Sequence, residues 1–126
     1  MGIQIHYVGK IQRYRSLNEN ITATAEKYPL INGFFGQKGK SRGVREIHSR
    51  NHEATAKDFF NKIAKGGVLD LKTIMGGVVS RMKDGSVVSY RQITSSTNSP
   101  AVEIRFRKLN SKYGINDQKI HFVQDK

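Results

Sequence analysis

Apolar and charged residues alternate over 101–107, "AVEIRFR", so that Val102, Ile104 and Phe106 fall on one side and Glu103, Arg105 and Arg107 on the other. A period of two is what a strand with one buried face requires. The run "KIHFV" repeats the arrangement, with Ile120 and Phe122 on one side and Lys119, His121 and Val123 opposite. Upstream, "GGVVSRMKDGSVVSYRQI" sets two β-rich runs around Asp84-Gly85, a dipeptide that supplies the positive φ angles of a tight hairpin turn. The period changes to that of a helix in "NHEATAKDFFNKIAKGG", where Ala56, Phe59, Phe60 and Ile63 share one stripe. Asn51 caps its start, Lys62 and Lys65 lie near its end, and Gly66 and Gly67 stop it, so Phe59 and Ile63 are expected to pack on a sheet.

The first half is less regular. Residues 1–18 are mixed and basic and carry no assignment; Asn18 or Asn20 would cap a short helix over "ENITATAEKY", which Pro29 stops. "LINGFFGQKGKSRG", with Gly33, Gly36, Gly39 and Gly43 among three cations, reads as a loop. The expected fold is α+β, with N-terminal helices packed on a twisted antiparallel sheet of four or more strands. At 126 residues the chain has the length of one domain, 1–126, with an N-terminal helical or irregular segment over 1–27 and the core over 28–126.

Charge adds a partner class to this picture. Lys and Arg number 22 against 10 Asp and Glu, a formal net charge of +12, and such a surplus attracts polyanions, nucleic acid first among them. There is no cysteine, which removes disulfides, thiolate nucleophiles and Cys-ligated metals from consideration. The four histidines lack the paired spacing with Asp or Glu that would suit zinc, and no cofactor is implied. No apolar run approaches the ~20 residues of a membrane helix, and "MGIQIHYVGKIQRYRS" lacks the features of a signal peptide. "GFFGQKGKS" ends like a nucleotide-triphosphate loop, but that pattern needs glycine where Phe34 stands, and no parallel-strand unit precedes it.

If Ile104, Phe106, Ile120 and Phe122 face the helices, then Glu103, Arg105, Lys119 and His121 face away, and Arg91 joins them if Val88 and Tyr90 are on the core side. The hydroxyls Thr94, Ser95, Ser96 and Thr97 then border a cationic, imidazole-bearing surface. RNA cleavage through the substrate's own 2′-hydroxyl needs a group to take that proton, a group to protonate the leaving oxygen, and donors for a charged phosphorane. Histidines near neutral pKa suit the first two tasks, and Arg, Lys and hydroxyls the third. His121, Arg91, Thr94, Ser95 and His48 are the candidate catalytic residues; Lys38, Lys40, Arg42, Ser96, Arg105 and Lys119 are the candidates for RNA phosphate. Each also has an ordinary reading: His121 as a solvated surface histidine, "KGKSRGVR" as a solvated loop, and "TSSTNSP" as a turn.

The stretches "YPLINGFFGQKGKS", "FFNKIAKGG", "DGSVVSYRQITSSTNSPAVEI" and "QKIHFV" resemble C-terminal toxin domains of bacterial polymorphic toxins, including those of contact-dependent growth inhibition. The resemblance runs from about residue 28 to 123 and is most specific from Asp84 to Ile104. It implies the ribonuclease fold group of barnase, EndoU, colicin and RelE type, and an endoribonuclease directed at transfer RNA. It also implies secretion or cell-surface delivery within a larger effector, action in the target-cell cytoplasm, and neutralisation by a dedicated immunity protein. Sites in that group draw a His or Lys from the N-terminal half, here Lys38, Lys40 or His48, and Arg, Ser or Thr from the central strands, here Arg91, Thr94, Ser95 and Ser96, with His121 as general acid or base. An acidic immunity protein would suit the +12 surface, giving a monomer or a toxin–immunity heterodimer. The alternatives are a non-enzymatic RNA- or ribosome-binding domain, which lacks an exposed aromatic pair for base stacking, and, third, a DNase.

Overall fold

The computed structural model describes residues 13–72, 77–94, 99–106 and 115–125. Helix α1 spans Leu17–Lys27 and begins at Ser16, whose hydroxyl accepts from the Glu19 backbone N–H while the Glu19 carboxylate accepts from the Ser16 N–H, a complete capping box. The cap is therefore Ser16 and not Asn18 or Asn20. Asn20 is buried, and its amide nitrogen donates to the carbonyls of Ile63 (2.9 Å) and Lys65 (2.8 Å), joining α1 to the end of the second helix.

The stretch expected to be a loop contains three two-residue strands: β1 (Leu30–Ile31), β2 (Phe34–Phe35) and β3 (Gln37–Lys38). β1 and β2 pair with each other, while β3 pairs with β4 (Val44–Ser49). Gly36 makes this close passage possible. Its φ is +68°, and a Cβ there would meet the Glu46 carbonyl oxygen at 2.5 Å. Helix α2 (His52–Ile63) follows, capped by the Asn51 side chain accepting from Ala54 N. After it come β5 (Val68–Lys72), β6 (Gly77–Arg81), β7 (Val87–Arg91), β8 (Ala101–Arg105) and β9 (Gln118–Gln124). Asp84-Gly85 turns β6 into β7 as expected, with Gly85 at φ +85°.

The main sheet has seven strands in the order β3-β4-β9-β8-β7-β6-β5. Two features depart from the expectation of helices first and an antiparallel sheet after. β1 to β4 lie between the two helices, and β4 runs parallel to β9. The architecture is α+β with a mostly antiparallel sheet.

Helix α2 covers one face of the sheet. Phe59 makes edge-on contacts with Phe35 and Tyr28, at centroid distances of 5.0 and 5.1 Å, and a tilted contact with Phe122 at 5.6 Å. Ile63, Val88, Val102, Ile104 and Ile120 are fully buried in the same core. This inner face fixes the side of every other strand residue by alternation. Residues 1–12 lie outside the described residues. Among those described, no helix is long and apolar enough to cross a membrane.

Candidate functional site

On the outer face the register aligns one residue from each of five strands. Gln37 is opposite Glu46, Glu46 opposite His121, His121 opposite Ala101, and Ala101 opposite Arg91. His121 and Arg91 therefore share a face and a row, two strands apart, which is about 10 Å between backbones. Ala101, between them, is itself buried, at 3% exposed, so the middle of the row is covered. A second row places Val44, Lys119, Glu103 and Ser89 side by side.

The carboxylates of this face have partners. Arg105 donates to Glu103 through two nitrogens, at 2.9 and 3.1 Å. His48 Nε2 lies 3.1 Å from Glu46 Oε1, and its Nδ1 lies 3.5 Å from Asp125 Oδ1. Asp70 approaches Arg81 at 4.0 Å. Among the described residues Lys40, Arg91 and Lys119 form no ion pair, so their charges are available to an anion.

His121 departs from expectation in one respect: it is on the expected face but only 6% exposed. The end of the β7–β8 connection lies beside it. Thr94 N donates to Ser99 O (3.1 Å), and Phe122 N donates to Pro100 O (2.9 Å), drawing Ser99 and Pro100 against β9. Thr94, Ser99, Pro100 and His121 are all buried. The imidazole is thus at the floor of the outer face and does not project from it. Burial lowers its pKa from the usual value of 6.5, neighbouring Lys119 and Lys40 lower it further, and Glu46 acts in the opposite sense. At neutral pH the ring is uncharged and able to accept a proton.

The other candidates divide between the two faces. Lys40 is in the turn between β3 and β4 and close enough to depress the His121 pKa. Lys38, by contrast, is opposite Arg45, which is opposite Ile120, so Lys38 belongs to the helix side. Arg42 belongs there too, with its guanidinium 5.3 Å from the Phe34 ring centre beside that of Arg45 at 4.6 Å. Arg105 is on the outer face but held by Glu103. His48 is on the outer face of β4, clamped between Glu46 and Asp125. Ser95 and Ser96 lie outside the described residues.

Glu46 is the residue that sequence reasoning missed. Nothing in its spacing relates it to His121; the relation exists only through the β4–β9 register. A groove of about 850 Å³ adjoins Glu46 and His48 and continues over the β4 edge past Gln37, Ile47, Tyr28 and Asp58. Tyr28 Oη donates to Asp58 Oδ2 at 2.6 Å in its wall. No family model, curated protein or solved structure matches this chain.

Proposed function

We propose that this chain is an endoribonuclease that cleaves RNA by transesterification without a metal ion. The observation that carries the reading is His121: an imidazole kept uncharged by burial, opposite Glu46 in the register, in one row with Arg91, and close to Lys40 and Lys119. Neutral His121 takes the proton of the 2′-hydroxyl, and the 2′-oxygen attacks phosphorus. The bond to the 5′-oxygen breaks, that oxygen leaves with a proton, and a 2′,3′-cyclic phosphate remains. Glu46, opposite His121 in the register, is hydrogen-bonded to His48, and this pair or the protonated His121 supplies the proton to the leaving oxygen. Lys40, Lys119 and Arg91 stabilise the added charge on the phosphorane, and the groove beside Glu46 has room for a flanking nucleotide. The resemblance of the sequence to polymorphic toxin domains supports the same reading. It extends it to transfer RNA as substrate, to delivery within a larger secreted effector and to an acidic immunity protein as partner.

Incubation of the purified protein with total RNA in EDTA tests the activity. Discrete fragments ending in cyclic phosphate are expected, and His121→Ala should lower the rate by about 10²–10⁴-fold, the usual range for a proton-transfer group. Arg91→Ala should do so mainly through the chemical step. Wild-type rates in both variants would place the chemistry elsewhere. The burial of His121 favours one second reading, an RNA-binding domain in which this histidine is a packed structural residue. Tight RNA binding with no fragments at any protein concentration would establish that reading instead.

A further inference from the structure

The β3–β4 hairpin carries unneutralised cations on both of its sides, and the two sets differ in what holds them. Lys40, in the turn of the hairpin, is close enough to act on His121, which with Lys119 is on the outer face by register. On the helix side are Lys38, Arg42 and Arg45. Arg45 donates to the carbonyls of Phe35, Gly36 and Arg42 at 3.0–3.3 Å, which fixes its guanidinium without cancelling its charge. Phe34 receives both guanidinium groups, a cation–π arrangement that holds Arg42 in place while leaving its donors free. Among the described residues no carboxylate pairs with Lys38, Arg42 or Arg45. Lys38 and Arg42 are exposed. An arginine pair ordered against an aromatic ring, with no acidic partner, is arranged for phosphate.

From this placement, and resting on the proposed ribonuclease reading, we infer that the hairpin is a phosphate clamp gripped by the RNA from both sides, with the Lys38–Arg42–Arg45 cluster as a second subsite remote from the cut, and that the substrate is a folded RNA rather than a short single strand. The two faces of a strand carry side chains pointing in opposite directions. A phosphate held at Lys40 and one held at Arg42 therefore belong to different parts of the backbone. A dinucleotide reaches only the His121 side. A stem-loop, with two backbones close together, reaches both. The charge of the remote set then contributes to binding and leaves the chemistry alone.

The test uses the full chain and a double variant, Lys38→Ala with Arg42→Ala, both exposed positions outside the proton-transfer set. Two RNAs are compared, a dinucleoside phosphate and a stem-loop. The variant should lose about tenfold in kcat/KM on the stem-loop through KM, and change less than twofold on the dinucleoside phosphate. Binding of the stem-loop to the His121→Ala chain, with and without the double substitution, should show a salt dependence shallower by about 1.5–2 in slope, as expected for two lost phosphate contacts. Equal losses on both substrates, or none on either, overturn the inference while leaving the ribonuclease reading intact. Unchanged stem-loop binding overturns it as well. If the wild type binds the stem-loop with this slope change but cuts neither substrate, the enzymatic reading fails and the two-sided grip stands. A melting temperature within about 2 °C of wild type confirms that the variant is folded.

Discussion

Replacing Asn20 by alanine tests how the two helices are joined. The Asn20 side chain is 1% exposed and donates two hydrogen bonds, to Ile63 O and Lys65 O, where α2 ends. In Asn20→Ala the Ile63 carbonyl is left buried without its partner, at a cost of about 1–3 kcal/mol. The Lys65 carbonyl is partly buried and recovers water, so its loss is nearer ~1 kcal/mol. Alanine returns about 0.5 kcal/mol through its higher helix propensity. The sum is a destabilisation of about 1.5–3.5 kcal/mol. For 126 residues, at an unfolding entropy of about 2.1 cal/mol/K per residue, each kcal/mol lowers Tm by about 4 °C, so a fall of roughly 6–14 °C is expected. Urea unfolding should show a lower midpoint at an unchanged m-value. Asn20→Asp should be at least as damaging, because a carboxylate would face two carbonyl oxygens. A change below about 0.5 kcal/mol in Asn20→Ala would refute the argument, since it would mean that the α2 end is satisfied without α1.

Three further outcomes follow from the same structure. Tyr90 Oη is buried and has no hydrogen-bond partner among the described residues, so Tyr90→Phe should leave stability unchanged or raise it by about 1 kcal/mol; a loss of more than ~1 kcal/mol in chemical unfolding would refute this. Gly36→Ala combines a φ of +68° with a Cβ 2.5 Å from Glu46 O and should cost about 2–4 kcal/mol, visible as a lower urea midpoint; a wild-type midpoint would show that the hairpin leaves β4 at no cost. Because the folded pKa of His121 is lowered by burial, Lys119 and Lys40, the unfolded chain binds more protons as pH falls through about 6.5, and stability declines on that side. Replacing His121 by Gln should flatten unfolding free energy between pH 7 and 5 relative to wild type, and an unchanged slope would contradict it.

The faces of the sheet were readable wherever alternation extended over several residues. Val88, Tyr90, Val102, Ile104, Ile120 and Phe122 are buried as their parity requires, and the turn at Asp84-Gly85 is where the dipeptide placed it. α2 was readable for the same reason, with the helical period in place of two. What escaped is what has no period. β1, β2 and β3 are two residues each, too short for any pattern. β4, "VREIHS", reads as polar because Arg45 points to the helix side and settles on Phe34. Residues 16–19 spell the Ser16–Glu19 capping box, but Asn18 and Asn20 offer competing cap side chains two and four residues on, and only the backbone geometry separates them.

The candidate site was legible in its membership more than in its geometry. Alternation placed His121 with Lys119 and Arg105, and the register adds Arg91 to their face. Alternation could not show that Lys38 and Lys40, two residues apart, serve opposite sides, because that depends on where the β3–β4 turn begins. Nor could it show burial of the imidazole, which lies beside the place where Phe122 N donates to Pro100 O. Glu46 needed a parallel pairing between strands far apart in sequence, and no local pattern announces that.

The position of β9 has a consequence for how the molecule comes to be folded. It is the last of the strands in the chain, yet it lies between β4 and β8 and is the only described strand that bridges them. A nascent chain that has not yet delivered Gln118–Gln124 holds two unjoined pieces, β3-β4 on one side and β5 to β8 on the other. Phe59 then lacks the ring of Phe122, and the row lacks His121. Closure of the core and completion of the outer-face row are therefore one event, and a polypeptide shortened before this strand would lack both.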